Sequence, residues 1–170
     1  TLAIAGDEDV LAALPNGNWI GGTIPYFMSQ NGGITTRDQL FVTPLSFHPN
    51  LPPTIRQYDA ASLSQVCMEA PTNGFSLIIL PAFSEAHFEY AHHASMYDDM
   101  FMKPLVGWIA GIHLDDMGKR SPKVRDGRSN ALLENQAVVI HVPLPDNVSA
   151  SVNIVNLFTQ GDGDLIEFET

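Results

Sequence analysis

The sequence contains little cysteine and little charge, and both shortages narrow the class of protein. Cys67 is the single cysteine, so no intrachain disulfide can form; a small secreted scaffold is excluded and a reducing, cytoplasmic location is expected. Charged residues make up 16% of the chain against 45% hydrophobic residues, too little charge for a disordered chain. No run approaches the ~20 apolar residues of a membrane span, so we expect a folded protein with no membrane partner.

Basic residues are scarce and unevenly placed. The chain has 8 Lys and Arg against 19 Asp and Glu, which gives a formal net charge of −11. Such a field repels phosphate groups and anionic lipid, so nucleic acid is not an expected partner. Several of the basic residues crowd into residues 118–128: Lys119, Arg120, Lys123, Arg125 and Arg128. This segment is predicted to be a solvated, mobile loop, with an anion-binding flap over a site as the alternative.

The length and the ends of the chain bear on its domain organisation. A chain of 170 residues fits one domain, since one hydrophobic core takes up roughly 100 to 200 residues. Residues 2–5 already form a strand-like run without a preceding initiator methionine, and the chain ends in another short apolar segment. We therefore predict a single domain over residues 1–170, truncated at one or both ends from a longer protein.

The first third of the chain is typical of a strand-helix-strand unit. Residues 2–5 are apolar, Asp7 can cap a helix, and Val10 with Leu11 recurs at helical spacing. A Pro-Asn-Gly break follows, and residues 19–27 resume as a strand that contains a glycine pair.

A second unit of the same layout is predicted further along. Asp59 can cap a helix in which apolar residues recur on one face, namely Leu63, Val66, Cys67 and Ala70. Residues 75–80 form a continuous apolar run typical of a buried central strand. Ser84 can cap a long helix over residues 85–102, with a buried stripe made of Tyr90, Ala94, Tyr97 and Phe101. Residues 105–112 then form a second glycine-bearing strand.

The C-terminal part of the chain favours strands. Residues 137–142 and 151–158 are apolar or alternating segments separated by a Pro-rich connection, as in a β-hairpin, and a Gly-Asp-Gly-Asp turn precedes a final short strand over residues 165–168. The predicted fold class is therefore α/β, with α+β as the alternative: a mixed sheet of strand-helix-strand units and a C-terminal β-hairpin.

This layout resembles the FIST family of bacterial sensory domains. The segments that carry the resemblance are residues 19–23, with their glycine pair, residues 104–111, and the closing residues 152–168. The resemblance implies an intracellular input domain that binds a small metabolite and passes the signal to a neighbouring domain. It brings no fixed set of ligand-binding residues.

The glycine-bearing strands are the predicted ligand site. Glycine allows close approach of backbone N–H groups to a ligand, although tight packing between elements is the simpler interpretation of a glycine pair. Trp108 could stack on a ligand or belong to the core. The predicted ligand-binding residues are Gly21, Gly22, Thr23, Gly107, Trp108, Gly111 and His113. This prediction requires the two glycine-marked segments to lie side by side in one sheet.

A metal-dependent enzyme of hydrolase or lyase type is the alternative. Imidazole and carboxylate groups cluster in residues 85–116, and both are ligands for Zn or Mn. The candidate ligands are Glu89, His92, His113 and Asp115. No His-Glu-x-x-His signature or nucleophile elbow occurs, so the leading prediction is a non-catalytic domain that binds a small molecule and needs no cofactor. A homo-oligomer or a missing C-terminal domain is left open as a further partner.

Overall fold

The computed structural model describes residues 1–30 and 32–155 together with Thr159, Gly161 and Gly163. Two α-helices are present, α1 (Glu8–Ala12) and α2 (Glu85–His93), with short 3-10 turns at Leu63–Gln65, Ala94–Met96 and Leu114–Asp116. The strands are β1 (Leu2–Gly6), β2 (Trp19–Thr23), β3 (Tyr26–Ser29), β4 (Gly32–Thr35), β5 (Leu40–Pro44), β6 (Thr54–Tyr58), β7 (Gly74–Pro81), β8 (Leu105–Ala110), β9 (Val124–Asp126), β10 (Leu132–Leu133) and β11 (Ala137–Pro143).

The strands form two main sheets and one small hairpin. Sheet 1 has the order β10-β9-β2-β1-β5, sheet 2 has the order β6-β11-β7-β8, and β3 pairs with β4. In each main sheet one pair is parallel, β1 with β2 and β7 with β8, and the other pairs are antiparallel. The α/β class and the two strand-helix-strand units are confirmed, since α1 joins β1 to β2 and α2 joins β7 to β8.

The two units lie in different sheets, which corrects the expectation that their glycine-bearing strands share one sheet. The sheets pack face to face, with β2 against β7, β8 and β11, and β9 against β7 and β11. Small and branched side chains from both sheets fill the layer between them: Ala3, Ile20, Ile55, Leu77, Ile79, Ala110, Val124, Val138, Ile140 and Val142. Alternation along a strand indicates which side chains share a face, but not whether two units join one sheet.

Helical segments cover the outer faces of both sheets. On sheet 1, Leu11 of α1 packs with Ile4 and Trp19. On sheet 2, α2 and residues 59–70 cover a second apolar layer that includes Ile78 and Val139. The order of layers is therefore helix, sheet, sheet, helix, with apolar side chains between each pair of layers.

Residues 59–70 form consecutive turns and not the predicted α-helix. The Asp59 carboxylate accepts hydrogen bonds from the Ser62 N–H (2.9 Å) and hydroxyl (2.6 Å), and i→i+3 bonds such as Val66 N–H to the Leu63 carbonyl follow. Cys67 is nevertheless buried, as predicted for a core residue.

The second predicted helix is shorter than expected. Ser84 caps α2 as predicted, because its hydroxyl accepts from the His87 N–H. However, α2 ends at His93 and Asp99 has a positive φ of 62°, which no helix tolerates. Phe101 is 83% exposed and lies outside the buried stripe to which it was assigned.

Residues 118–128 are not a mobile loop, because part of the segment forms the buried strand β9. Arg125 is 1% exposed, and its guanidinium donates to the carbonyls of Leu11, Ala12 and Leu14 at the end of α1 and stacks 4.9 Å from the centre of the Trp19 ring. The negative end of the helix dipole and these carbonyl groups stabilise a cation that has no carboxylate partner.

The C-terminal hairpin is not found in the part of the chain that the structure describes. β11 pairs with β6 and β7, and residues 151–155 contain no strand. The rest of the predicted second strand, residues 156–158, and the final strand at 165–168 lie outside the described residues.

A buried polar chain runs beneath residues 59–70. Tyr58 donates to the Glu69 carboxylate (2.8 Å), so its oxygen accepts from His141 Nε2 (3.0 Å), and His141 Nδ1 accepts from the Ser76 hydroxyl (2.7 Å). Both ring nitrogens are satisfied with a neutral imidazole, and burial lowers the pKa of His141 to about 4. His141 is therefore a satisfied core histidine, as predicted.

Acid should destabilise the fold through His141. The unfolded chain binds a proton at His141 below pH 6.5, whereas the folded protein does not until about pH 4. Stability therefore rises with pH across this window, and the loss on acidification amounts to about 3 kcal/mol. Urea unfolding between pH 7 and pH 4.5 should show this slope in the wild type and in His92→Gln, an exposed control, and a smaller slope in His141→Gln. Parallel slopes in all three proteins would contradict the assignment.

Gly22 is expected to be essential for the close approach of the two sheets. A Cβ at this position would lie 2.5 Å from Ile79 Cγ2 and 3.1 Å from Trp108 Nε1, both in sheet 2. Gly22→Ala should therefore lower the free energy of unfolding by roughly 1–3 kcal/mol, the usual cost of overpacking a core. Gly33→Ala is the matched control, because no atom lies within 4 Å of its Cβ position. Equal urea midpoints for the two variants would refute the packing argument.

Candidate functional site

The C-terminal ends of the parallel strands from both sheets meet at one edge of the molecule. The Gly111 N–H, just beyond β8, donates to the Thr23 carbonyl at the end of β2 over 2.6 Å, which joins sheet 2 to sheet 1. The Ala82 N–H, just beyond β7, donates to the Ala110 carbonyl (3.0 Å). In α/β proteins, ligands bind in the crevice outside the C-terminal ends of parallel strands, and here two such ends open onto the same place.

A cavity of about 580 Å³ lies at this edge. Its volume falls within the range of small-molecule sites. Its walls come from the segments that follow β7 and β8 and from the connections on both sides of β9, and they are mainly apolar. The lining residues are Ala82, Phe83, Ser84, Gly111, Ile112, Leu114, Met117, Gly118, Arg120, Ser121, Pro122, Glu134 and Asn135.

Phe83 has an unusual backbone conformation at the cavity. Its φ is +63°, in the left-handed region that a bulky side chain adopts at a cost. The turn places the ring on the cavity wall with 76% of the residue exposed. Ser84, the next residue, begins α2. A strained backbone that presents an aromatic ring to an open cavity is typical of a position selected for contact with a ligand.

The two cations beside the cavity are already paired with carboxylates. Arg120 donates two hydrogen bonds to Asp9, each 3.1 Å, which raise the pKa of the guanidinium. Lys123 Nζ lies 3.0 Å from Glu8 and 3.6 Å from Glu134. These pairs attach residues 120–123 to the start of α1. The rim of the cavity therefore has no net positive charge available for an anionic ligand.

A narrow cleft continues from the cavity toward Asp7. This residue is 5% exposed and lies 3.7 Å from both Arg37 and Arg120. Arg37 also donates to Asp116 (2.7 Å), and this bond holds the pKa of the Asp116 carboxyl below its usual value. Asp7 and Asp116 therefore bring three separate segments of the chain together: the start of α1, the connection before β5, and the turn after β8.

Three of the residues predicted to bind a ligand line this site. Gly111 lines the cavity, and Gly111, Thr23 and His113 line the cleft. Thr23 is buried and its hydroxyl accepts from the Lys123 N–H (2.9 Å). The His113 ring stacks on Tyr26 at 5.7 Å between ring centres.

The other predicted ligand residues serve packing. A Cβ at Gly21 would meet Leu11 of α1, and a Cβ at Gly107 would collide with the Ile78 carbonyl oxygen of β7. Gly22 faces sheet 2, as described above. Trp108 lies outside the cavity, and its Nε1 is buried with no hydrogen-bond partner among the residues that the structure describes. These glycines permit close contact between elements, which was the simpler interpretation of the sequence.

The alternative metal ligands do not converge. Within the described ranges, no group of three or more His, Cys, Asp or Glu side chains is placed to hold a metal ion. Glu89 pairs with His93 (2.9 Å), whereas His92 Nδ1 bonds to the Phe88 carbonyl. His113 lies 3.5 Å from Asp115, on a separate segment of the chain.

Fold and site together define an α/β protein of two packed sheets with a cavity at their joined C-terminal strand ends. The chain belongs to the DUF6976 family, a family of unknown function, whose match spans residues 1–170. This membership corrects the resemblance to FIST sensory domains, which is wrong: two glycine-bearing strands are too general a feature to identify a family. Comparisons with curated proteins and with solved structures gave no match. None of the helices in the described residues combines the length and the apolar character needed to cross a lipid bilayer.

Sequence reasoning missed much of the cavity wall. Phe83 gave no signal, because its role depends on a left-handed backbone that phenylalanine does not favour. Asn135 and Pro122 come from connections that reach the site only through the pairing of β9 with β2. The cluster of basic residues was a usable signal, although it indicates ion pairs with α1 and not a flap.

Asp7 should matter more to stability than Asp9. Asp7 is buried, caps α1 and lies between two arginines, so Asp7→Ala should cost roughly 1–3 kcal/mol of unfolding free energy. Asp9 is 73% exposed, and Asp9→Ala should cost less than about 1 kcal/mol despite its shorter bonds to Arg120. Urea denaturation of both variants measures the difference. A larger loss for Asp9→Ala would show that the buried position of Asp7 is not what stabilises this edge.

Proposed function

We propose that this protein binds a small, neutral and largely apolar metabolite in the cavity at the joined strand ends, as a binding or sensory domain and not as a catalyst. The observation that carries the proposal is the 580 Å³ cavity with its apolar wall and the exposed ring of Phe83. Apolar pockets of this size with a few polar groups at the margin are typical of small-molecule sites.

The charges around the cavity support a neutral ligand. Arg120 and Lys123 are compensated by Asp9, Glu8 and Glu134, so an anionic ligand would have to break existing ion pairs. A cationic ligand would gain little from the exposed, already paired Glu134. Asn135 can donate and accept hydrogen bonds and is therefore suited to a neutral amide or carbonyl group.

The polar side chains at the cavity support binding over catalysis. Ser84 donates to the Pro81 carbonyl (2.7 Å) and accepts from the His87 N–H (3.0 Å), so its hydroxyl is engaged in the turn and has no neighbouring base. Burial raises the pKa of the Cys67 thiol, which disfavours the reactive thiolate. A single buried thiol also agrees with a cytoplasmic location, which we include in the proposal.

A pair of nearly isosteric probes tests the class of ligand. Benzamide is neutral and benzoate is anionic, and their rings match the Phe83 wall equally well. In titrations followed by protein NMR, benzamide should bind with a Kd on the order of 1 mM, about −4 kcal/mol, and benzoate at least about fivefold more weakly. Shifts should centre on the amides of Phe83, Gly111 and Asn135.

Gly111→Leu supplies the blocking variant. No atom lies within 4 Å of the Cβ position of Gly111, so a leucine can project into the cavity without disturbing the fold. Benzamide binding should be lost in this variant and kept in Gly33→Leu, which adds the same side chain at an equally open glycine outside the cavity. Preferential binding of benzoate, or undiminished benzamide binding to Gly111→Leu, would refute the proposed site.

A further inference from the structure

A second apolar surface lies where sheet 1 extends beyond sheet 2. The centre of the interface is formed by β2 over β7, β8 and β11, and β1 and β5 lie beyond β2 on the β8 side. Their inner faces therefore have no strand of sheet 2 opposite them. A groove of about 360 Å³ occupies this position, lined by Ala3 and Ala5 of β1, Phe41 and Thr43 of β5, Trp108 of β8, and the segment 24–28.

The backbone of β8 is unpaired along this groove. β8 is the last strand of sheet 2 in the residues that the structure describes. The Ala110 carbonyl accepts from Ala82, beyond the end of β7, so even-numbered residues of β8 turn their backbone groups toward β7. The N–H and C=O groups that point away from β7 belong to the odd-numbered residues: Leu105, Gly107 and Ile109.

This edge has none of the features that protect strand edges from pairing. β8 contains no charged residue, no proline and no bulge, and Val106 and Ile109 are 41% and 39% exposed. The overhang of β1 and β5 leaves room for one strand and not for a second sheet. A second copy of β8 would carry its own overhang into the same space. The groove therefore fits a single extended, apolar segment.

The chain supplies such a segment next to the start of β8. Ala150, Ser151 and Val152 line a shallow hollow together with Leu105, the first residue of β8. Asn73 holds the connection before them by donating to the carbonyls of Leu144, Pro145 and Val148. Residues 151–158 alternate apolar and polar residues, and Ile154 is 94% and Val155 76% exposed. Exposed apolar side chains in an alternating segment are typical of a strand that lacks its partner.

We propose that residues 151–158 dock as a strand parallel to the free edge of β8 and cover the groove beneath β1 and β5. The direction follows from the position of Leu105, because a segment that enters beside it and runs along the edge has the same direction as β8. The docked strand would give sheet 2 five strands, as in sheet 1, and would bury Val152 and Ile154. This docking surface is separate from the proposed ligand cavity and does not depend on it.

Amide hydrogen exchange of the full-length chain tests the proposal, read at Leu105, Gly107 and Ile109. The docked strand should protect these three outward-facing amides, and Ile154→Asp should speed their exchange at least about tenfold. In the described conformation Ile154 is almost fully exposed, so without docking the substitution would change nothing. Val148→Asp is the matched control, since Val148 is 46% exposed and precedes the segment. Its exchange should equal that of the wild type.

Two outcomes would overturn the proposal. Rapid exchange of the three amides in both the wild type and Ile154→Asp would show that the edge of β8 is open. Protection that depends on protein concentration, together with a doubled mass in sedimentation, would show that a second molecule occupies the groove. Protection in a monomer that is lost only in Ile154→Asp supports the assignment.

Discussion

The close approach of β2 to the opposing sheet is the constraint on which the rest of the structure depends. Only a residue without a side chain fits at position 22, where Ile79 and Trp108 of sheet 2 contact the backbone of β2. At this separation the end of β2 can accept a hydrogen bond from Gly111 beyond β8. Two strand-helix-strand units in different sheets thereby open at one edge, and the cavity lies there. A wider spacing would separate the two strand ends and remove the cavity.

The few cations of the chain are used to hold that edge together. Arg125 anchors the end of α1 from beneath, and Arg120 and Lys123 hold its beginning through carboxylates. On the opposite side of β9, Asp126 accepts from Gln57 of sheet 2 and from Arg128; these bonds hold its pKa below the usual value although burial acts to raise it. The cations that cluster in residues 118–128 thus join layers of the fold, and this use leaves the cavity without free charge.

The sequence predicts the local elements better than their assembly. The caps at Asp7 and Ser84, the buried strand at residues 75–80 and the core position of Cys67 follow from local patterns and are confirmed. The separation into two sheets depends on contacts between distant segments, which no local pattern reports. For the same reason residues 105–112 were predicted as a buried strand, whereas β8 is an edge strand with exposed Val106 and Ile109.

The candidate site shows the same division. Gly111 and His113 could be predicted because they follow a strand, where α/β proteins place their sites. The glycines within the strands misled, because packing and ligand contact both favour glycine. Phe83 and Asn135 could not be predicted, since their positions at the cavity depend on a strained turn and on the pairing of β9.

The central claim is that the cavity at the joined strand ends holds a small molecule in the cell. Native mass spectrometry of the protein purified without added ligand measures this directly, with Gly111→Leu and Gly33→Leu purified in parallel. The account predicts an additional mass of a few hundred daltons at most on the wild type and on Gly33→Leu, consistent with a cavity of about 580 Å³, and its absence from Gly111→Leu. Bare protein in all three preparations, or the same added mass on Gly111→Leu, would contradict it.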